Sequence, residues 1–124
     1  MSLWNFRSYV AIAVVAWALP GWTHHSHGNY DLATYTTIEG AATEAHWINP
    51  HTWIYLEVAN LDGTATVWAL EGGGINSLTR LGWSQESVQV GDNISVRCHP
   101  LRAGTPSCLI GFITLEGGVE QEYD

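Results

Sequence analysis

The feature that most constrains the fold is an alternating run, His51–Ala59, which a turn sequence follows directly. One set of alternate positions is mostly apolar and the other carries the larger or polar side chains: Thr52, Ile54, Leu56 and Val58 against His51, Trp53, Tyr55 and Glu57. A period of two residues is typical of a half-buried β-strand. Segment 60–63 (Asn-Leu-Asp-Gly) is a hairpin turn sequence, in which the Asp-Gly pair accepts positive φ. The sequence therefore predicts a hairpin whose return strand is Thr64–Glu71.

The remaining segments predict further strands and one helix. Strands are expected at 36–47, with a bulge because Ala42 and Ala45 fall on opposite faces, at 93–99 and 109–115, and as a short edge at 119–123. Three glycines follow Glu71, and then a short helix with Ile75, Leu78 and Leu81 on one face, capped by Asn76 or Ser77 and ended by Gly82-Trp83.

Three strands, a short helix and two strands form the element order of the OB-fold. A β-sandwich usually has about seven strands, which is more than this chain provides. We therefore predict an all-β fold, a small OB-like five-stranded barrel with one short helix between strands 3 and 4.

The N-terminal segment has the composition of a secretory signal. Arg7 precedes the apolar run Tyr9–Leu19, and Ala16-Trp17-Ala18 matches a small-x-small cleavage site. The run is too short to span a bilayer comfortably, so no stable membrane anchor is expected after cleavage. We predict a signal peptide at 1–18, a His-rich arm at 19–35 and one barrel domain at 36–124, in a periplasmic or secreted protein.

Charge and cysteine content narrow the possible partners. The chain has 12 acidic residues against 4 arginines and no lysine, a net charge of −8. Such a surface repels phosphate backbones and anionic headgroups, so neither nucleic acid nor membrane is an expected partner. Two cysteines in an exported chain predict a structural disulfide, Cys98–Cys108, because no Cys-x-x-Cys spacing marks a redox pair.

Histidines provide the strongest functional signal. His24, His25 and His27 cluster in the arm, and His51 follows a turn formed by Asn49-Pro50. Imidazole binds transition metals well, and an arm folded back over the barrel would bring these four residues together. Without thiolate or thioether ligands, such a site favours Cu(II), with Zn(II) or Ni(II) as alternatives. The competing interpretation is that His51 only hydrogen-bonds the turn and the arm is an unstructured tail.

The mature N-terminus bears on the metal site. If processing left His24 first, its amine and imidazole would bind copper together, with His51 as a third nitrogen ligand. If the chain began at His25, His27 would stand third, and its imidazole would join the amine and backbone amides around Cu(II) or Ni(II). Both arrangements require cleavage away from the Ala16-Trp17-Ala18 site.

Glu71 and Trp53 are the remaining candidates. Glu71 is expected to cap the following helix, with a role as metal carboxylate or general base as the alternative. Trp53 shares a strand face with Tyr55 and Glu57, and this face is a candidate to contact a ligand or to support the metal-binding side chains. No nucleophile elbow is present, and catalysis is less favoured than binding. The two functional hypotheses are therefore a histidine-based metal-binding protein and a non-catalytic accessory module that docks a periplasmic protein or small ligand through this aromatic face.

Five short motifs in this order resemble an uncharacterised family of small exported bacterial proteins, a domain of unknown function. They are His24-His25-Ser26, Trp47-x-Asn49-Pro50-His51, Trp68-x-x-Glu71, Gly82-Trp83 and Gly91-Asp92, and they extend over roughly 24–118. The resemblance implies export and a compact β-rich fold, but no mechanism. His27 stands where the family commonly carries an aromatic residue, and the two cysteines lie outside the motif set.

Overall fold

The computed structural model describes residues 27–124, in which strands predominate. The elements are a 3-10 helix, His27–Asn29; β1, Thr36–His46; β2, Trp53–Ala59; β3, Ala65–Glu71; α1, Ile75–Arg80; β4, Asn93–Pro100; β5, Ser107–Leu115; and β6, Glu120–Glu122. Among these residues, no helix has the length and apolar character needed to cross a membrane. The predicted signal peptide lies outside the described residues.

The strands form one sheet in the order β3-β2-β1-β4-β5-β6, and an additional pairing of β3 with β5 closes it. That closing contact is parallel and short, joining 69–71 of β3 to 107–109 of β5. β1 through β5 thus make a closed five-stranded barrel, with β6 added at the outer side of β5. The predicted all-β, OB-like barrel with a helix between its third and fourth strands is confirmed.

The hairpin that dominated the sequence pattern is present with the predicted faces. Ile54 and Leu56 are buried on β2, whereas Trp53 and Tyr55 on the opposite face are half-buried. The turn carries Gly63 at a φ of 87°, a left-handed conformation that suits glycine. β1 shifts register against β2 between Ala42 and Glu44, which confirms the predicted bulge.

The barrel interior is filled by aliphatic side chains from all five barrel strands, and Leu78 of α1 packs into the same core. Leu78 is the buried residue of α1, and Trp83 packs edge-on against Tyr123 with ring centroids 4.8 Å apart. The predicted Cys98–Cys108 disulfide is formed, and both cysteines are fully buried in the core. The disulfide therefore joins the end of β4 to the start of β5.

The N-terminus of α1 differs from the prediction. The helix begins at Ile75 with Gly74 as its N-cap, so Asn76 and Ser77 lie inside the helix and do not cap it. Instead, the side chain of Asn49 reaches across from the preceding turn, and its Oδ1 accepts a hydrogen bond from the Ile75 N–H at 3.0 Å. A cap supplied by another element leaves no local sequence signature.

Two further details of this region correct the sequence interpretation. Leu81 is 41% exposed, so the predicted apolar face of α1 is largely reduced to Leu78. Glu71 does not cap the helix, because its carboxylate is bonded elsewhere, to Tyr30.

Candidate functional site

The arm segment 27–35 lies against the barrel, at the loop between β4 and β5. Its hydrogen bonds to the end of β4 and to this loop include Asp31 N–H to the Pro100 carbonyl at 2.9 Å, Arg102 N–H to the Asn29 carbonyl at 2.9 Å, and Arg102 Nε–H to the Tyr30 carbonyl at 3.2 Å. Tyr30 also forms an isolated antiparallel bridge with Leu101. The arm is therefore an ordered part of the fold from His27 onward.

Beneath the arm lies a small buried cluster separate from the barrel core. Glu71 pairs with Trp53 on one side and with Leu109 on the other, and each of these residues follows or precedes a core-facing neighbour. Strand alternation directs Glu71 and Leu109 to the outside of the barrel. Both are nevertheless only 2% exposed, and Tyr30 is 3% exposed. The docked arm buries what would otherwise be outer surface.

The Glu71 carboxylate is anchored by Tyr30. The Tyr30 hydroxyl donates a hydrogen bond of 2.7 Å to Oε2 of Glu71. Burial, followed by this bond to Glu71, raises the pKa of Tyr30 to about 12, while a hydrogen bond with the Ser107 side chain acts in the opposite direction. Desolvation and the adjacent carboxylate both disfavour a phenolate. Tyr30 is thus a committed donor to Glu71.

His51 faces the other oxygen of the same carboxylate. Its Nδ1 lies 3.5 Å from Oε1 of Glu71, and the side chain of Glu71 is 3% exposed. Nδ1 is buried and makes no hydrogen bond within residues 27–124. The His51 side chain as a whole is 34% exposed. Because Nδ1 itself is buried, the exposed area belongs to other atoms of the side chain.

His27 is the arm histidine that the structure describes, and it lies beside His51. The two imidazole centroids are 6.2 Å apart, and the ring planes are inclined by 58°. His24 and His25 lie outside the described residues. Two of the four predicted metal ligands are thus brought together, although they are 24 positions apart in the sequence.

The remaining histidines have other partners. His46 lies 2.8 Å from Glu44, and His99 directs Nδ1 to the Thr34 carbonyl at 2.8 Å while its ring stacks near Tyr35. Within the part of the chain that the structure describes, no group of three or more His, Cys, Asp or Glu side chains is arranged to hold a metal ion. The pair His27 and His51 is therefore the start of a site that needs further donors.

Trp53 lies next to this cluster, because it pairs with Glu71 across β2 and β3. It lines a small cavity of about 20 Å³ together with Trp47, His46 and Tyr123. Tyr55, two residues further along β2, contacts the His46 ring with centroids 5.4 Å apart. Both aromatic residues are half-buried, so much of this face is engaged in packing.

An open groove of about 560 Å³ lies elsewhere on the barrel, lined mainly by the middle of β1, the start of β4 and the end of β5. Glu39, Glu57 and Glu116 border it, and the described part of the groove carries no basic residue. It shares no residue with the arm cluster. Its acidic rim continues the charge character of the whole chain.

Tyr30 is the site residue that sequence reasoning missed. It is flanked by Asn29 and Asp31, and no apolar periodicity around it marks it as buried. The available signal was the residue type, because an aromatic side chain in a mostly polar arm gains by docking on a neighbouring surface. That signal, combined with the Glu at the end of β3, would have suggested the contact.

Comparisons with known proteins bear on family and fold. A model described as a family of unknown function (DUF6152) matches residues 11–110, most of the chain. No curated protein matches this chain. Among solved structures, the chain is similar to the mitochondrial single-stranded DNA binding protein Rim1 of S. cerevisiae, with a TM-score of 0.50 and 18% identity over 66% of this chain and 92% of that one. At this identity the likeness concerns the fold alone.

Proposed function

We propose that this chain, which belongs to the DUF6152 family of unknown function, binds a divalent transition metal through His51 and His27. The observation that carries the proposal is the pair of imidazoles with centroids 6.2 Å apart, one of them backed by a buried carboxylate. Copper(II) is the favoured ion, with zinc(II) or nickel(II) as alternatives. The role of such a protein is sequestration, delivery or sensing of the ion.

The distance between the rings is compatible with one shared ion. A metal held by an imidazole nitrogen at about 2.1 Å lies about 3.2 Å from the centre of that ring. Two imidazoles on one ion therefore have centroids at most about 6.4 Å apart. The 6.2 Å separation falls just within that limit. A wide angle at the metal suits this separation best, and a slight closure of the arm widens the range of geometries.

Glu71 supports His51 as a ligand. Histidines that bind metals almost always direct their second ring nitrogen to a carboxylate, a carbonyl or water, which fixes the tautomer and the ring orientation. Here Nδ1 of His51 is buried and faces Oε1 of Glu71 at 3.5 Å. Nε2 is then the nitrogen left for the metal. Glu71 is assigned to the outer shell and not to direct coordination, because its Oε2 accepts from Tyr30.

The missing donors come from the arm in this proposal. His25 and His24 precede His27 by two and three residues, and three residues of chain span at most about 11 Å. Both cysteines are joined in the disulfide, and the sole methionine is Met1. Nitrogen ligands without sulfur favour Cu(II), Zn(II) or Ni(II) over Cu(I).

Export is part of the same proposal. The Cys98–Cys108 disulfide is compatible with an oxidising compartment, and the first 18 residues have the pattern of a signal peptide. Two of the sequence motifs, those ending in His51 and Glu71, supply residues of the proposed site. We assign these motifs to metal binding in the periplasm or outside the cell.

Tag-free protein titrated with Cu(II), followed by calorimetry and by the Cu(II) electron paramagnetic resonance spectrum, tests the proposal. We expect stoichiometric binding that His51→Ala weakens by more than the roughly 10–100-fold lost with an outer-shell partner. His46→Ala is the matched control, since it removes an exposed histidine that also lies beside a glutamate.

Two outcomes contradict metal binding at this site: unchanged copper affinity in His51→Ala, or an equal loss in His46→Ala. An accessory module without a metal is the alternative proposal, in which the face of Trp53, Tyr55 and Glu57 docks a protein partner or small ligand. Absent metal binding together with retention of a partner that Trp53→Ala releases favours that alternative.

A further inference from the structure

We infer that Tyr30 is a positioning residue of the metal site, acting on His51 through Glu71 and placing His27 at the same time. The inference rests on the proposed function. The Tyr30 hydroxyl donates its hydrogen bond to the Glu71 carboxylate and not to an imidazole of the site. Any effect of Tyr30 on His51 is therefore indirect.

The first step is the orientation of the carboxylate. A glutamate side chain at the end of a strand has several rotatable bonds, and its two oxygens exchange places when the carboxylate turns. The 2.7 Å bond from Tyr30 to Oε2 holds one oxygen in place. The other, Oε1, then stays opposite Nδ1 of His51 at 3.5 Å. Tyr30 thus maintains an acceptor in front of the buried ring nitrogen.

The second step is the tautomer of His51. An acceptor opposite Nδ1 favours the proton on Nδ1 and leaves the lone pair on Nε2. Metal coordination requires that lone pair on the accessible nitrogen. Coordination at Nε2 polarises the ring and makes Nδ1–H a better donor, so we expect this contact to shorten when an ion binds. The 3.5 Å separation leaves room for such a shortening.

The third step is the position of His27. The Tyr30 N–H bonds the His27 carbonyl at 3.3 Å, so the tyrosine and the histidine share one turn. Tyr30 is 3% exposed and is the buried residue of segment 27–35. Because Tyr30 is buried, the turn that carries His27 is held next to the His51 ring. The positions of both His27 and His51 therefore depend on the Tyr30 side chain.

Linkage follows from this shared dependence. If arm docking strengthens metal binding, then metal binding strengthens arm docking by the same factor, because the coupling is reciprocal. Metal should therefore slow amide exchange at Asp31, whose N–H bonds the Pro100 carbonyl. We therefore expect segment 27–35 to be held more tightly on the barrel when the ion is bound.

Nitrogen-15 NMR of the His51 ring in the metal-free protein tests the positioning role without relying on metal binding. Wild type should show the Nδ1–H tautomer. Tyr30→Phe, which keeps the buried ring, should shift the population towards Nε2–H. Glu71→Gln should invert it, because its amide oxygen accepts from Tyr30 and its NH₂ then faces Nδ1 as a donor. Tyr35→Phe, a tyrosine of the same segment that stacks on His99 and not on Glu71, is the control and should match wild type.

Copper affinity is the second measurement. Tyr30→Phe should lower it by roughly 10–100-fold, as for other outer-shell partners, and Tyr35→Phe should leave it unchanged. Unfolding curves recorded on the same samples identify any variant that fails to fold. If Tyr30→Phe does not fold, the comparison of Glu71→Gln with wild type provides the test.

The outcomes separate the two proposals. An unchanged His51 tautomer in both Tyr30→Phe and Glu71→Gln overturns the positioning role, whatever the copper affinity. A shifted tautomer with no copper binding in wild type supports the positioning of His51 and rejects the proposed metal function. A Tyr30→Phe protein with wild-type copper affinity and wild-type amide exchange rejects the coupling between arm docking and metal binding.

Discussion

At the scale of single residues, the cluster under the arm is defined by one carboxylate with two partners. Tyr30 and Glu71 lie 41 positions apart in the sequence and form a buried side-chain hydrogen bond. Removing one partner of such a bond leaves a buried acceptor unsatisfied, which costs about 1–3 kcal/mol or more for a charged group. Tyr30 therefore contributes to stability as well as to the site.

Alkaline pH should remove this contribution. The pKa of Tyr30 is raised from the ordinary 10.0 to about 12 by burial and by Glu71. Between these values the unfolded chain has already lost the proton and the folded chain retains it. The stability from this group is therefore complete below about pH 10 and falls as pH rises towards 12.

Urea unfolding of wild type and Tyr30→Phe from about pH 9 to about pH 12 measures the effect. The difference in free energy of unfolding between the two proteins should narrow across that range. Burial also raises the pKa of Tyr123, but that residue is present in both proteins and its effect cancels. A difference that stays constant with pH would show that the folded phenol titrates normally.

Residue types alone placed His27 and His51 in one candidate set, together with His24 and His25, but misassigned Glu71 as a helix cap. The assignment of Glu71 as a helix cap considered only the chain that follows it, where α1 begins four residues later. The actual partner comes from the arm, far upstream. Local sequence carries no record of a contact that forms only when two distant segments dock.

At the scale of elements, the loop between β4 and β5 connects the disulfide to the arm. Residues 101–106 span this loop, and the backbone groups that bind the arm belong to Pro100, Leu101 and Arg102. Cys98 and Cys108 close it at its base. The disulfide thereby restricts the surface on which Tyr30 docks.

Replacing both cysteines, as Cys98→Ala with Cys108→Ala, should lower the free energy of unfolding by roughly 2–3 kcal/mol on the chain-entropy model. Chemical denaturation of the variant and of wild type measures the loss. Wild type treated with a dithiol reductant is the control and should approach the variant. Equal stabilities of the oxidised protein and the double variant would contradict a stabilising role for the bond.

At the scale of the whole molecule, charge limits what the barrel surface can bind. The chain carries a net charge of −8, and its 4 basic residues are all arginines. One of them, Arg97, is already paired with Glu120 at 2.8 Å and lies over the Tyr35 and Phe112 rings. Nucleic-acid phosphates are bound when clustered basic side chains neutralise them and displace their counterions, and this chain offers few basic side chains.

A labelled single-stranded oligonucleotide should therefore show no change in fluorescence anisotropy with the protein at physiological ionic strength. Lowering the salt should not restore binding, because an acidic surface repels the phosphates more strongly when screening decreases. A basic nucleic-acid-binding protein assayed in parallel confirms that the probe is competent. Binding that strengthens as salt falls would show a basic surface that the charge count does not reveal.

The sequence by itself determined the strands, the Asp-Gly turn, the bulge, the disulfide and the OB-like order of elements. These features depend on the periodicity of apolar residues, on turn residues and on short spacings in the sequence, all of which can be identified within a short segment of the chain. Only the tertiary structure decided that the arm docks on the loop after β4, that Glu71 is buried on the outside of the barrel, and that His27 lies beside His51. Those outcomes depend on which surface a polar segment without regular periodicity covers, and that is settled by the sum of contacts between segments far apart in the chain.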